Sequence, residues 1–281
     1  MRGSRAWLLA WVPVGVGLVR ARRRLGLPRP LSALLAPTVP LALAAAVPRS
    51  RGRHAAVWAA HMWAYKASFE IPYDDPEKLR RRLRVLYPLR IDRALGAGVA
   101  PGERLQRRLR RPLEVTRLDR ALAALYVAWD AEPHAVLAWI LVRRPERFAH
   151  AAVRLALTFD LSLVGYWLVP TAPPWWASER HGLMGGRVAR GILRVRRDLH
   201  GDPLEQGDVR DANPWASMPS DHFAVATATA MLLAELNPVA GAAGWAYALA
   251  LGFALVHHGE HYVVDLLAGL ALAEAVRRTV R

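Results

Sequence analysis

Apolar stretches set apart by arginine clusters constrain this chain more than any other feature. They run over Trp7–Val19, Leu31–Val47, Ala55–Phe69, Leu118–Val142, Ala151–Pro170, Phe223–Glu235, Gly241–Val256 and Tyr262–Val276. In hydrocarbon, backbone N–H and C=O groups find no partner but each other, so stretches like these fold as helices. Several fall short of the ~20 residues that a bilayer requires, and their ends must draw on flanking polar residues. The expected fold class is all-α, a polytopic transmembrane helical bundle. Residues 1–50 supply N-terminal membrane helices and 51–281 one membrane domain, with the chemistry-bearing motifs in 170–269. Trp7–Val19 is followed by Arg20-Ala21-Arg22-Arg23-Arg24 with no small-x-small cleavage site, which reads as an uncleaved or interfacial helix. Leu118–Val142 carries Asp130, Glu132 and His134, so it either kinks at Pro133 or turns those groups to the protein interior.

Charge then decides between partners. The net charge of +16 in a soluble chain points to nucleic acid, but here the basic residues are nearly all Arg and lie between apolar runs. Anionic lipid headgroups account for them more simply, and no nucleic-acid recognition motif is present. Many of the 11 Trp sit near the ends of apolar runs, as interfacial anchors do. In Tyr73–Pro112, Glu77–Leu86 and Gly102–Arg111 pair Leu with Arg at helical spacing, the pattern of amphipathic helices lying along headgroups. The loop Trp176–Met218 is irregular and is expected to cover the site. The Arg143–Arg147 loop and the Arg277–Arg281 tail read as cytoplasmic. Counting spans back from the tail puts Pro170–His222 and His257–His261 on the extracytoplasmic face. The same count leaves Tyr73–Pro112 outside, against the positive-inside tendency.

Two histidine-bearing helix starts carry the chemistry. His261 and Asp265 are spaced i,i+4, which on a helix puts both on one face; the carboxylate can hold one imidazole nitrogen and leave the other free to attack. Ser220 reads as the N-cap of Phe223–Glu235, with Asp221 and His222 in the first turn, and a helix N-terminus is a ready anion site. A capped helix with an incidental His accounts for Ser220 and Asp221 alone. It does not account for His222 and His261 flanking an apolar hairpin whose connection, Leu236-Asn237-Pro238, is too short to recross a bilayer. That hairpin returns both histidines to one face, a phosphoryl-transfer constellation. No cluster of hard oxygen ligands accompanies it, so neither a metal nor another cofactor is expected.

Pro219-Ser220-Asp221-His222 resembles the Pro-Ser-x-His motif of the phosphatidic acid phosphatase type 2 superfamily. His261-Tyr262-Val263-Val264-Asp265 is similar to its His-x-x-x-Asp motif. Tyr262, with Pro170-Thr171-Ala172-Pro173-Pro174-Trp175-Trp176, resembles the inositol phosphorylceramide synthase and sphingomyelin synthase branch more than ordinary lipid phosphatases. The likeness covers roughly Ala151–Ala275. It implies a six-helix catalytic core, His261 as the nucleophile that becomes phosphohistidine, Asp265 as its orienting group, and His222 as the acid that protonates the leaving group. Ser220, Asp221, Tyr262, Pro173, Trp175 and Trp176 are then candidate substrate contacts. The chain departs from the family in three places. Ala254 and Leu255 stand where its phosphatases carry Ser-Arg, and Arg104 with Arg111-Pro112 only mimics the spacing of its first motif. Asp221 takes a position that is commonly Gly or apolar, either facing outward as a first-turn acid or lying beside the phosphate. Lys66, His257, His258 and the arginines after Trp176 are candidate phosphate-neutralising cations.

The expected activity is hydrolysis of a membrane lipid phosphate through phosphohistidine. The alternative is head-group transfer to a second alcohol, which Trp175, Trp176 and Tyr262 favour.

Overall fold

A computed structural model describes residues 2–111, 114–201 and 213–280. No strand occurs among the described residues, and the chain is all-helical. In order, the helices are α1 (Arg2–Ala21), α2 (Arg29–Leu35), α3 (Thr38–Ala46), α4 (Arg51–Glu70), α5 (Pro76–Arg81), α6 (Leu86–Leu95) and α7 (Pro101–Leu109). The second half holds α8 (Arg117–Ala128), α9 (Glu132–Arg143), α10 (Pro145–Leu168), α11 (Pro174–His181), α12 (Gly191–His200), α13 (Asp221–Leu236), α14 (Pro238–His257) and α15 (Val263–Thr279).

Among the described residues, three stretches are long and apolar enough to cross a membrane: Arg29–Ala46, Pro145–Leu168 and Pro238–His257. The other apolar runs are helical but shorter or more charged. Leu31–Val47 is interrupted between α2 and α3 at Ala36-Pro37. Leu118–Val142 is likewise two helices, broken at Trp129–Ala131, with Pro133 seated in the first turn of α9 where its missing N–H costs nothing. The break thus falls just ahead of Pro133, and of the three polar groups Glu132 turns inward, accepting the Thr229 hydroxyl at 2.6 Å, while Asp130 is exposed.

The motif-bearing half is built around the hairpin of α13 and α14, joined by Asn237. The Asn237 side chain accepts the Val239 and Ala240 N–H groups at 2.9 and 3.0 Å, starting α14 one residue after α13 ends. α10 packs along α13 and buries Phe148, Leu155 and Phe159 against Val225, Ala228 and Leu232. α15 closes the other side. Its Gly269 lies so near the start of α13 that an added Cβ would stand 2.6 Å from the Ser220 carbonyl oxygen. α1, the break between α2 and α3, and α4 pack together through Val19, Ala36, Ala64 and Ala67.

The arginine-rich segment is arranged differently from its sequence pattern. The helix over Glu77–Leu86 ends at Arg81, and α6 occupies residues with no such signal. α7 is close to the stretch read from sequence, yet it is docked on protein: Gly102, Glu103 and Gln106 are buried, and Gln106 Nε2 donates to the carbonyls of His257 and Ala189 at 2.8 and 2.9 Å. The loop Trp176–Met218 contains α11 and α12, the latter lying over α8; residues 202–212 fall outside the described residues.

Gly269→Ala tests how much the contact between α13 and α15 matters. Overpacking a backbone contact of this kind costs about 1–3 kcal/mol. Thermal unfolding in detergent should show a midpoint several degrees lower; an unchanged midpoint would mean that the two helices are free to separate.

Candidate active site

Two chain reversals bring the motifs together. α14 ends in a Schellman arrangement. Gly259 takes φ +71°, its N–H reaches the Val256 carbonyl at 3.2 Å, and the Glu260 N–H reaches Leu255 at 3.0 Å. A side chain is strained at that φ, and a Cβ would also stand 3.0 Å from the Ala189 carbonyl oxygen, so glycine is required twice over. The turn leaves His257 and His258 on one side and sends His261 to the other. α15 starts only at Val263, so His261 precedes the helix and the His261–Asp265 pair straddles its N-terminus, in place of the single helix face read from the spacing.

Asp265 is wholly buried. Its Oδ2 accepts the Ser217 hydroxyl at 2.6 Å and the Tyr262 N–H at 2.9 Å, and lies 3.4 Å from His261 Nδ1. The shorter contact of His261 Nδ1 is the Ser217 carbonyl oxygen at 3.0 Å. A carbonyl can only accept, so Nδ1 carries the proton and Nε2 is left with its lone pair, the tautomer a nucleophile needs. The backbone joins the motifs as well, since the Ser220 N–H donates to the Asp265 carbonyl at 2.9 Å.

Ser220 is the N-cap of α13, its hydroxyl accepting the Phe223 N–H at 3.3 Å. His222 follows in the first turn, its ring centroid 4.3 Å from Trp129 and 4.9 Å from Tyr126. His222 and His261 meet edge to face with centroids 5.6 Å apart. Asp221 is buried and does not face outward: Tyr65 donates its hydroxyl to Oδ2, the Asp221 N–H reaches the Tyr166 hydroxyl at 3.1 Å, and Tyr166 donates to the Pro219 carbonyl at 2.9 Å. Asp221 Oδ1 has no hydrogen-bond partner among the described residues.

A cavity of about 410 Å³ opens on both histidines and is also lined by Lys66, Asp130, His134, Pro173, Arg190, Ser217, Asp221 and Glu260. Arg190 bridges Glu260 at 2.9 Å and stacks over Trp175 at 4.7 Å, while Lys66 pairs with Glu70 at 3.4 Å. The other candidates lie elsewhere. Trp175 and Trp176 pack against each other beside the cavity, Trp176 with Arg180 over its ring. Tyr262 is buried in a core cluster with Leu89, Ala177 and Val188. His257 and His258 line a separate small cavity, where burial and the neighbouring His257 hold the His258 imidazole down to about 4. A neutral ring outside the pocket does not neutralise a phosphate within it.

Sequence reasoning passed over four contributors. Ser217 and Tyr65 act through contacts 48 and 156 residues away in sequence, a distance at which no local pattern signals. Arg190 was covered only as one of the arginines after Trp176. Asp92 of α6 accepts the Val263 and Val264 N–H groups at 3.0 and 2.9 Å, capping α15 from outside; burial pushes its carboxyl up to about 6, against the pull of those two donors.

The fold and the paired motifs agree with the comparison to known families. Residues 89–277, more than half of the chain, match the PAP2 superfamily, and the chain belongs to that superfamily. The match begins well before the motif-bearing stretch and takes in α6, α7 and α8. Neither the curated proteins nor the solved structures include a significant match to this chain. With its membrane-length apolar helices, the chain is an integral membrane protein of the phosphatase and phosphotransferase type that acts on lipid phosphates.

Ser217→Ala removes a charge-assisted hydrogen bond from Asp265 and keeps the backbone carbonyl that holds Nδ1. Such bonds contribute about 1.5–3 kcal/mol, so kcat should fall by roughly ten- to a hundredfold with little change in KM. Activity at the wild-type level in detergent micelles would remove Ser217 from the mechanism.

Proposed function

We propose that this protein is a lipid phosphatase that works through a phosphohistidine on His261. One observation carries the reading: His222 and His261 face each other across one pocket while Nδ1 of His261 is held by the Ser217 carbonyl. In the first step Nε2 attacks phosphorus, the bond from phosphorus to the lipid oxygen breaks, and His222 delivers a proton to the departing alkoxide. Without an anion beside it, burial and His261 hold the His222 ring down to about 3, and the substrate's phosphate favours the protonated form. In the second, His222 takes a proton from water as its oxygen attacks phosphorus; the P–N bond breaks, releasing phosphate and restoring the neutral imidazole. Asp265 and the Ser217 carbonyl stabilise the positive ring between the steps, and Arg190 and Lys66 supply positive charge toward the phosphate. No step calls for a divalent metal, and turnover should persist in chelator.

A second reading has its own support. The cavity continues past the histidines to Asp130 and His134, which offers room and hydrogen-bonding groups for an alcohol other than water. Transfer of a phosphoryl or head group to that alcohol, as in the inositol phosphorylceramide and sphingomyelin synthase branch, uses the same first step. Mass spectrometry of products from purified enzyme, lipid phosphates or phosphodiesters and a panel of alcohols separates the two: free phosphate marks the hydrolase, a new phosphodiester the transferase.

An extracytoplasmic site is the reading that the distribution of charge supports. His150 near the start of α10 contacts the Val280 carbonyl at 3.3 Å, so the Arg143–Arg147 loop and the basic tail share one end of the bundle. The motifs occupy the other end, where Tyr166 of α10 meets Pro219.

His261→Ala should abolish turnover and, with radiolabelled substrate, the acid-labile label on the protein. His222→Ala should lose much less activity on an activated aryl phosphate than on an alkyl lipid phosphate, because an acid matters only where the leaving group needs a proton. Wild-type turnover in His261→Ala sinks the nucleophile, and equal losses on both substrates make His222 a binding group.

Orientation is tested in this cysteine-free chain with single cysteines. Leu199→Cys, at a position that is 69% exposed, should react with an impermeant maleimide on intact cells, and Thr279→Cys only after lysis. The reverse pattern would put the site on the cytoplasmic face.

A further inference from the structure

A second polar cluster lies outside the pocket, where α8 and α12 pack against the end of α14. Asp119 of α8, His257 at the last residue of α14 and His258 at its C-cap are all buried, and each offers one ligand-type atom within 4.8 Å of the others. The carboxylate is fixed in advance. Its Oδ2 accepts the Thr116 N–H at 2.9 Å and the Thr116 hydroxyl at 2.8 Å, while Oδ1 faces His257 Nε2 at 2.7 Å. The imidazoles are under-used: neither ring nitrogen of His258 nor Nδ1 of His257 has a partner among the described residues, although the two residues are 0% and 2% exposed. Buried polar atoms left in this state call for a ligand or a stated function. The cavity at the cluster, about 10 Å³, holds one water or one ion and nothing larger.

We propose that Asp119, His257 and His258 bind a single zinc-class divalent ion, at a site separate from the catalytic histidines. Two imidazoles and one carboxylate are a donor set for zinc or cobalt, and magnesium and calcium are disfavoured because both want oxygen ligands. The 2.7 Å separation is a hydrogen-bond distance; two ligand atoms about 2.1 Å from a tetrahedral ion stand about 3.4 Å apart, so binding displaces the proton now shared between Nε2 and Oδ1 and widens the gap. Arg110 and Arg194 also line the cavity and oppose positive charge, but their guanidinium groups are directed at backbone oxygens, Arg110 at Arg187 and Arg194 at Arg111. The ion ties α8 to the turn that carries His261, making it a clamp on the site and no participant in the chemistry.

The test uses the full-length protein in detergent, stripped with chelator, dialysed against zinc and assayed for bound metal by mass spectrometry, with X-ray absorption at the zinc edge. About one zinc per chain is expected, with two imidazoles among its ligands. His258→Gln should lose it, whereas His222→Ala and His261→Ala should keep it. Three outcomes overturn the site: no stoichiometric zinc in the wild type, zinc retained in His258→Gln, or zinc lost with the catalytic histidines. If His258→Gln fails to fold, the wild-type spectrum and the two catalytic-histidine variants still decide. None of these measurements depends on turnover, so the site stands or falls apart from the phosphatase reading.

Discussion

The Asp265 carboxylate organises the catalytic end of this protein. A buried carboxylate is tolerable only when donors surround it. Here one oxygen takes a hydroxyl from Ser217 and a backbone N–H from Tyr262, with the His261 ring alongside. Those contacts come from three places: the segment ahead of α13, the turn that begins α15, and His261 itself. Deleting the charge therefore disconnects the motifs from each other as well as from the histidine. The Asp265 backbone completes the joint, its carbonyl receiving the N-cap residue of α13.

Around that joint the fold is arranged to exclude slack. Gly269 lets α15 approach the N-cap backbone of α13, and Gly259 makes the reversal that turns His261 away from His257 and His258. Asp92 satisfies the first N–H groups of α15 from α6, a helix for which the arginine pattern gave no signal. The basic segment thus has two faces: exposed arginines, and a buried set of Gly102, Glu103 and Gln106 that braces the end of α14. The pocket gains its polarity in the same way, with Tyr65 and Tyr166 gripping Asp221 from two different helices.

Motif type and order are local properties, and they can be read in one dimension. The Ser220 cap, the His222 that follows it, and the spacing of His261 and Asp265 need no tertiary information, because capping and helical periodicity act within a few residues. The shared face of the two histidines follows from Leu236–Pro238, a connection too short to recross a bilayer. The family was legible for the same reason, and the match over 89–277 supports it. The finer branch rested on Trp175, Trp176 and Tyr262, which the fold packs beside the cavity or into the core.

What only the tertiary structure decided is which distant groups complete the site. Ser217, Tyr65, Arg190 and Asp92 are brought in by packing between helices far apart in the chain. The inward turn of Asp221 depends on Tyr65 being there to meet it. His257 and His258 lie close to His261 in sequence and away from it in space, because one left-handed glycine lies between them. Sequence by itself set the reacting groups, since hydrogen-bonding capacity and helix phase are carried by the residues themselves. Their tautomer, their partners and their neighbours were set by burial, which obliges each polar atom to find a partner wherever the fold provides one.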